Sequence, residues 1–302
     1  MYLSLCLPTN GVTEWVIPSL DSIYAENMDD DKFEVIVTDN GGNLLFEKIM
    51  TDYAKRHDNL LYKKTDAYMF DNQLEALKFA KGDYMKFVNH RSLWKPGRLQ
   101  YMYEFLEKYE TEKPVIYFAN GAMGWGPVYR EYSSFDEFVK NLGVYGTWTS
   151  GVGIWKEDFD RIPKDYQYDK ISPHAGILYS ERKKNKYIIN DLYWMNEIDT
   201  DHSKKGKYDL YKAFAVDEFI ITINLYRDGD ISIETLRMVK ESYREFLKVL
   251  YCDFNLLKMP CSYDLEGFEA YIDIFFDKED IVEGGKLKYL EKKLTGENNI
   301  NG

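Results

Sequence analysis

The first hundred residues alternate short apolar runs with amphipathic stretches, and each apolar run stops at a polar, turn-forming cluster. Tyr2 to Leu7 is apolar and closes at Pro8-Thr9-Asn10-Gly11. A helical stretch follows to about Glu26, with Pro18 marking either a bend or a late start. Phe33 to Thr38 is β-branched and closes at Asp39-Asn40-Gly41-Gly42. Leu45, Ile49 and Tyr53 then recur at i, i+4 and i+8 along one helix face. Leu60 to Lys63 reads as a third strand, Asn72 to Ala80 as a third helix and Asp83 to Val88 as a fourth strand. Strands alternating with helices of this length predict an α/β fold with a mostly parallel, doubly wound sheet. Ligands of such sheets sit beyond the carboxyl ends of the strands. Pro8-Thr9-Asn10, Asp39-Asn40 and Asn89-His90-Arg91 therefore converge on one edge.

Composition narrows the class. A chain of 302 residues accommodates one large α/β domain plus an appendage, and 45% apolar content argues against disorder. The longest apolar runs are too short to span a bilayer. Met1-Tyr2-Leu3-Ser4-Leu5-Cys6 carries no basic leader and no small-residue cleavage site, so it reads as the first strand of a cytoplasmic protein. Cys6, Cys252 and Cys261 form no CxxC pair, which leaves buried thiols rather than a disulfide framework or a zinc site. A net charge of −12 argues against nucleic acid as a partner and gives no general attraction to anionic lipid. HExxH and GxSxG are absent, so protease and hydrolase readings lack support. His57 and His202 lie among charged and polar residues and are expected at the surface.

Three blocks resemble successive segments of family 2 nucleotide-sugar glycosyltransferases with the GT-A fold. They are Ser4-Leu5-Cys6-Leu7-Pro8-Thr9-Asn10, Glu34-Val35-Ile36-Val37-Thr38-Asp39-Asn40, and Asn72-x3-Ala76-x3-Ala80-x-Gly82-Asp83-Tyr84. The flavour is that of the branch with abequosyltransferase-like enzymes of surface polysaccharide synthesis. The likeness covers about the first hundred residues and then thins. It implies a Rossmann-like GT-A domain, with residues 1–110 as the nucleotide-sugar half, 111–230 as the acceptor half and 231–302 as a C-terminal helical extension. It also implies an inverting transfer from a nucleoside-diphosphate sugar, UDP-linked, to a saccharide or lipid-linked saccharide in capsule-type assembly. By the same resemblance Pro8, Thr9 and Asn10 line the nucleotide pocket, and Asp39, with Asn40 beside it, accepts hydrogen bonds from uracil or ribose. Two alternatives stay open: Asp39 as a turn former capping the next helix, and Asn72 as an N-cap rather than a ligand.

The resemblance fails at one informative place. Lys86-Phe87-Val88-Asn89-His90-Arg91-Ser92-Leu93-Trp94-Lys95-Pro96-Gly97 corresponds to the strand-to-loop segment where the family carries a metal-binding Asp-x-Asp. His90, Arg91 and Ser92 stand in the acidic slots. Charge develops on the leaving phosphate during transfer, and a metal held by carboxylates ordinarily stabilises it. Arg91 offers a permanent cation whose fork matches phosphate oxygens, and His90 can donate as well. The expectation is a site that uses no divalent metal and no other cofactor. The alternatives are side chains that simply face water, or a pseudo-transferase that binds without turnover.

On the acceptor side, Pro114 to Ala119 reads as a strand and Asn120 to Gly126 as a Gly-rich loop without P-loop spacing. Ser133 to Asn141 reads as a helix. Trp125 is placed to stack on an acceptor sugar or to plug the core. Trp148-Thr149-Ser150-Gly151-Val152-Gly153 resembles the family's small-residue acceptor wall, giving Trp148 and Ser150 as contacts. Family members then present Glu-Asp, with the Asp as general base; here His174 occupies that place, with Asp169 or Asp165 as carboxylate alternatives. His174 as a purely structural residue stays open. Beyond Ile231, Leu236, Val239, Tyr243, Phe246 and Leu250 form the stripe of one long amphipathic helix. It packs on its own domain, on a second subunit, or on a membrane surface, and its mixed charges disfavour the last.

Overall fold

The computed structural model describes residues 2–198 and 207–295, so His202 lies outside the described residues. The chain divides into two compact units: Met1–Phe138 with Tyr145–Ile198, and Val139–Val144 with Asp199–Gly302.

The strands of the first unit are β1 (Leu3–Thr9), β2 (Phe33–Asp39), β3 (Leu60–Lys64), β4 (Tyr84–Phe87), β5 (Ser92–Trp94), β6 (Val115–Phe118), β7 (Tyr129–Tyr132), β8 (Gly153–Trp155), β9 (Tyr187–Asn190) and β10 (Met195–Glu197). The main sheet has the order β3-β2-β1-β4-β8, its first four strands parallel and β8 antiparallel to β4. β1 and β2 pair over their whole length, from Leu3↔Phe33 to Thr9↔Asp39. Both are buried on both faces, which explains why they read as continuous rather than alternating apolar runs. A second sheet, β6-β9-β7, has β6 and β9 parallel and β7 antiparallel, and β5 pairs antiparallel with β10. This is the GT-A α/β architecture expected from the sequence.

Helices α1 (Thr13–Tyr24), α2 (Leu44–Ala54), α3 (Asn72–Phe79) and α4 (Arg98–Glu107) supply the apolar faces that cover the main sheet. Pro18 lies inside α1 rather than at a late start. In α2 the buried stripe is Phe46, Met50 and Tyr53: Tyr53 is as expected, while Phe46 and Met50 replace Leu45 and Ile49, since Leu45 projects into solvent at the first turn. The cap of α2 is Asn43, whose Oδ1 accepts from the N–H groups of Leu45 and Phe46, both at 3.2 Å. Asp39 therefore does not cap that helix. The shorter helices α5 (Phe135–Leu142), α6 (Lys156–Arg161) and α7 (Pro173–Leu178) follow.

Described residues of the second unit are helical: α8 (Leu210–Lys212), a π-turn at Ala213–Asp217, α9 (Glu218–Arg227), α10 (Ile233–Leu250), a second π-turn at Tyr251–Leu256, α11 (Phe268–Phe275) and α12 (Lys278–Thr295). α10 carries most of the expected stripe and is capped by Ser232, whose Oγ accepts from Thr235 N–H at 3.1 Å. Val239, Tyr243 and Leu247 are buried within this unit, where Tyr243 meets Phe219 at 5.6 Å between ring centroids. Among the described residues no helix is long and apolar enough to cross a membrane.

One side chain fastens the carboxyl edge of the main sheet. Asn72 is not an N-cap. Its amide donates to the carbonyls of Thr9 (3.1 Å) and Thr38 (2.8 Å), and its Oδ1 accepts from the Thr65 hydroxyl (2.8 Å). The ends of β1 and β2 and the segment after β3 are thus tied to the start of α3. Removing the amide takes away its bonds to both carbonyls, although Thr9 keeps the Asn40 N–H at 3.2 Å, so Asn72→Ala is expected to cost about 1–3 kcal/mol in urea-induced unfolding. A loss below about 1 kcal/mol would show that water replaces the amide.

Candidate active site

Along that edge β1 ends with half-buried Pro8, buried Thr9 and exposed Asn10. Gly41 passes so close that a Cβ there would collide with the Asn10 carbonyl, which restricts the position to glycine. Asp39 is fully buried and already engaged: Oδ1 accepts from Gly41 N–H (2.8 Å), and Oδ2 accepts from the Tyr62 hydroxyl (2.8 Å) and pairs with Lys64 (3.0 Å). A nucleotide reaching this carboxylate has to displace Lys64, which is itself partly exposed. Asn40 spends both amide hydrogens on the carbonyls of Ala67 (3.0 Å) and Met69 (2.9 Å). It shapes the loop after β3 and has no N–H left for a ligand.

β4 delivers Asn89, His90 and Arg91 to the same edge. Asn89 Oδ1 accepts from Arg91 N–H at 3.1 Å. His90 Nδ1 lies 2.8 Å from the Thr9 hydroxyl, and its ring meets Trp15 edge-on at 4.9 Å. Burial, with Arg91 adding repulsion, lowers the His90 imidazole to about 3. His90 is thus neutral near pH 7 with one N–H to offer, and the positive charge expected of this pair comes from Arg91 alone. The Arg91 guanidinium lies 5.5 Å from the Trp15 ring and pairs with Glu197 at 2.9 Å. Glu197 arrives because β10 pairs with β5, Glu197↔Ser92.

These side chains do not suit a divalent cation. Hard cations take carboxylate and carbonyl oxygens, whereas here the Arg91 guanidinium already holds the nearby Glu197 carboxylate. Among the described residues no group of three His, Cys, Asp or Glu could hold a metal ion.

Opposite this loop, β8 runs antiparallel to β4 with Gly153 facing Lys86. Lys86 is fully buried; its amine donates to the carbonyls of Phe87 (2.8 Å) and Ser150 and lies 5.4 Å from the Phe118 ring. Burial without a carboxylate lowers it to about 7. It fastens the small-residue wall to the end of β4. A charge in Tyr84-Met85-Lys86-Phe87-Val88 is the sequence signal that pointed to it and went unused.

His174 is buried in α7. Its Nε2 lies 2.7 Å from the Thr147 carbonyl, and its Nδ1 lies 3.2 Å from both the Thr149 hydroxyl and the Gln73 amide oxygen. The Thr147 carbonyl only accepts, so Nε2 donates to it; Nδ1 then faces the Thr149 hydroxyl, which can donate to it, and the Gln73 amide oxygen, which cannot. Burial lowers this imidazole to about 4, with the Thr147 bond and Asp169 acting the other way. Asp169 shapes the turn into α7, accepting from the N–H groups of Ile171 (2.8 Å) and Ser172 (2.9 Å), and Asp165 is exposed. Trp148 is half-buried and edge-on to Tyr145 at 4.8 Å. Half-buried Trp125 lies under the Arg130 guanidinium at 3.9 Å. Ser150 is half-buried, and its carbonyl is taken by Lys86.

A GT-A sheet with polar strand ends, a basic loop and a small-residue wall defines the glycosyltransferase class of enzyme. The chain matches the family Glycosyl transferase family 2 over residues 4–162, just over half its length, and belongs to that family. No curated protein sequence matches it. Among solved structures, S. aureus TarS 1–349 in complex with UDP-GlcNAc is similar at 14% identity and a TM-score of 0.58, covering 98% of this chain and 92% of that one. S. aureus TarS gives 14% identity and 0.54, with 96% and 54% covered. The mannosyltransferase PcManGT from Pyrobaculum calidifontis, in complex with GDP-Man and Mn2+, gives 13% and 0.50, with 96% and 87% covered.

The buried lysine has a measurable consequence. In the unfolded chain Lys86 stays protonated up to about pH 10, whereas in the fold it is protonated only below about 7. Between those values the unfolded state binds more protons, so this group makes stability rise with pH and lowers it most below about 7. In urea titrations the stability of wild type relative to Lys86→Met should climb by up to about 1.4 kcal/mol per pH unit between pH 7 and 9. A flat difference would show that Lys86 keeps its ordinary pKa.

Proposed function

We propose that this glycosyltransferase moves a sugar, with inversion, from a UDP-linked donor to a saccharide or lipid-linked saccharide, and that it does so without a divalent metal. The observation that carries the reading is Arg91, a permanent cation held between Trp15 and Glu197 in the segment that resembles the family's acidic metal-binding stretch. The fold likeness to TarS solved with UDP-GlcNAc favours UDP among the nucleotides. A role in surface polysaccharide assembly, kinship with abequosyltransferase-like enzymes, a cytoplasmic location at the inner membrane face and a dimer through the C-terminal helices belong to the same reading.

In this mechanism the acceptor hydroxyl attacks the anomeric carbon as the bond to the diphosphate oxygen breaks. His174 Nδ1 takes the hydroxyl proton, with Thr149 and Gln73 fixing its direction. The leaving diphosphate carries away the bonding pair, and Arg91 turns from Glu197 to meet the growing charge. A second reading draws on that same pair: with Arg91 held by Glu197 and Asp39 by Lys64, the chain could be a binding module without turnover. Nucleotide release from a panel of nucleotide sugars decides between them, since binding without release in any combination of donor and acceptor supports the module.

Two further outcomes follow from the named roles. Activity should survive EDTA, and Arg91→Ala should lower kcat by about 10²-fold or more with a smaller change in KM. Activity lost to EDTA and restored by Mn²⁺ would overturn the metal-free reading. His174→Ala should abolish transfer while donor binding persists, and kcat/KM for the acceptor should fall as pH drops through about 4, the value to which burial brings this imidazole. If Asp169→Asn is dead and His174→Ala active, the carboxylate is the base.

A further inference from the structure

Two cations beside the site stand over aromatic rings without a carboxylate partner among the described residues. Lys95 follows β5, and its amine stands 3.8 Å from the centroid of the Tyr193 ring. Arg130, on β7, stacks at 3.9 Å on Trp125. Neither has a carboxylate within ion-pair distance among the described residues. An aromatic face restrains a cation without neutralising it, contributing about 0.5–1 kcal/mol at an exposed site. Lys95 and Arg130 are therefore oriented but electrostatically uncompensated.

The surface under them is held firmly. Asp191 is buried, and its two oxygens accept from Met123 N–H (3.0 Å) and Trp125 N–H (2.8 Å). Asn120 accepts from Trp194 N–H (2.7 Å) and Met195 N–H (2.9 Å) and donates to the Met195 carbonyl (3.1 Å). Gly121, at φ +81, closes onto the Tyr193 ring, 3.2 Å from where its Cβ would stand. The loop 120–126 and the segment 191–195 thus form one rigid platform. β10 and β5 lead from it to Arg91, and three residues of extended chain span about 10 Å.

Charge is concentrated there against the trend of the protein. Segments 91–98, 120–131 and 190–197 carry Arg91, Lys95, Arg98 and Arg130 against Glu131, Asp191 and Glu197; Glu197 is taken by Arg91, Glu131 by Lys186 and Asp191 by backbone N–H groups, while the whole chain has a net charge of −12. A neutral sugar needs none of this. A chain bearing carboxylates or phosphates does, and the exposed edge of Tyr193 and the half-exposed Trp125 offer its sugar rings apolar contact.

We infer that Lys95 and Arg130, on their Tyr193 and Trp125 supports, bind the anionic groups of a negatively charged saccharide acceptor. The inference rests on the transferase reading for the word acceptor, but its test needs no turnover. Titration calorimetry would compare a short oligogalacturonate with its neutral methyl ester. Wild type should bind the acid about 10-fold more tightly than the ester at low salt, with the preference shrinking as salt rises. Lys95→Gln with Arg130→Gln should erase the preference and leave UDP affinity within about 2-fold, since the diphosphate faces Arg91. UDP affinity weakened as much as oligomer affinity would overturn the inference by assigning these cations to the donor. Equal binding of acid and ester by wild type would overturn it outright. So would phosphatidylglycerol vesicles binding through the same two residues while the oligomer does not. Both side chains are at least partly exposed, and an unchanged melting temperature of the double variant confirms that the fold is retained.

Discussion

The carboxyl edge of the main sheet exists as a surface because Asn72 holds it together. The carbonyls of Thr9 and Thr38, at the ends of neighbouring parallel strands, both meet one amide at the start of α3. The polar residues of the candidate site hang from those strand ends: Pro8 and Thr9 from β1, Asp39 and Asn40 from β2. The bond from the Thr9 hydroxyl to His90 then brings the β4 loop into the same frame. The site is therefore built on stacked constraints, each fixing the next, rather than on a cluster of side chains competing for one ligand.

Two buried bases, Lys86 and His174, sit beside that frame at the small-residue wall, and both are biased toward their neutral forms. His174 gains nothing from a carboxylate at hydrogen-bond distance; its partners are a carbonyl, a hydroxyl and an amide. Its basicity is weak but persistent, because the proton-free nitrogen survives well into acid. The loop after β4 is the opposite, with Arg91 a permanent cation whose charge no ordinary pH removes. The two halves of the site thus answer to different physics, desolvation on one side and charge pairing on the other.

The main strands were legible because buried parallel strands leave uninterrupted apolar runs bounded by turn residues, as Phe33 to Thr38 does before Asp39-Asn40-Gly41-Gly42. β7 was not legible, since Tyr129–Tyr132 is mostly exposed and shows no apolar alternation. β5 and β10 are three residues each, below the length at which periodicity means anything. The positions 8–10, 39–40 and 89–91 fell on one edge as the alternation required. Their engagements did not follow from it: Asp39 meets Lys64 through the β2–β3 register, and Arg91 meets Glu197 from a strand about a hundred residues away. Pairing between distant segments is set by the fold, and no local pattern encodes it.

The buried carboxylate of Asp191 grips the 120–126 loop only by its backbone. Backbone N–H groups are common to every residue except proline, so the loop keeps its shape whatever side chains stand at 123 and 125. Evolution, or an engineer, can therefore exchange the surface chemistry at Met123 and Trp125 without rebuilding the support beneath it. The surface chemistry here is a replaceable face on a fixed mount.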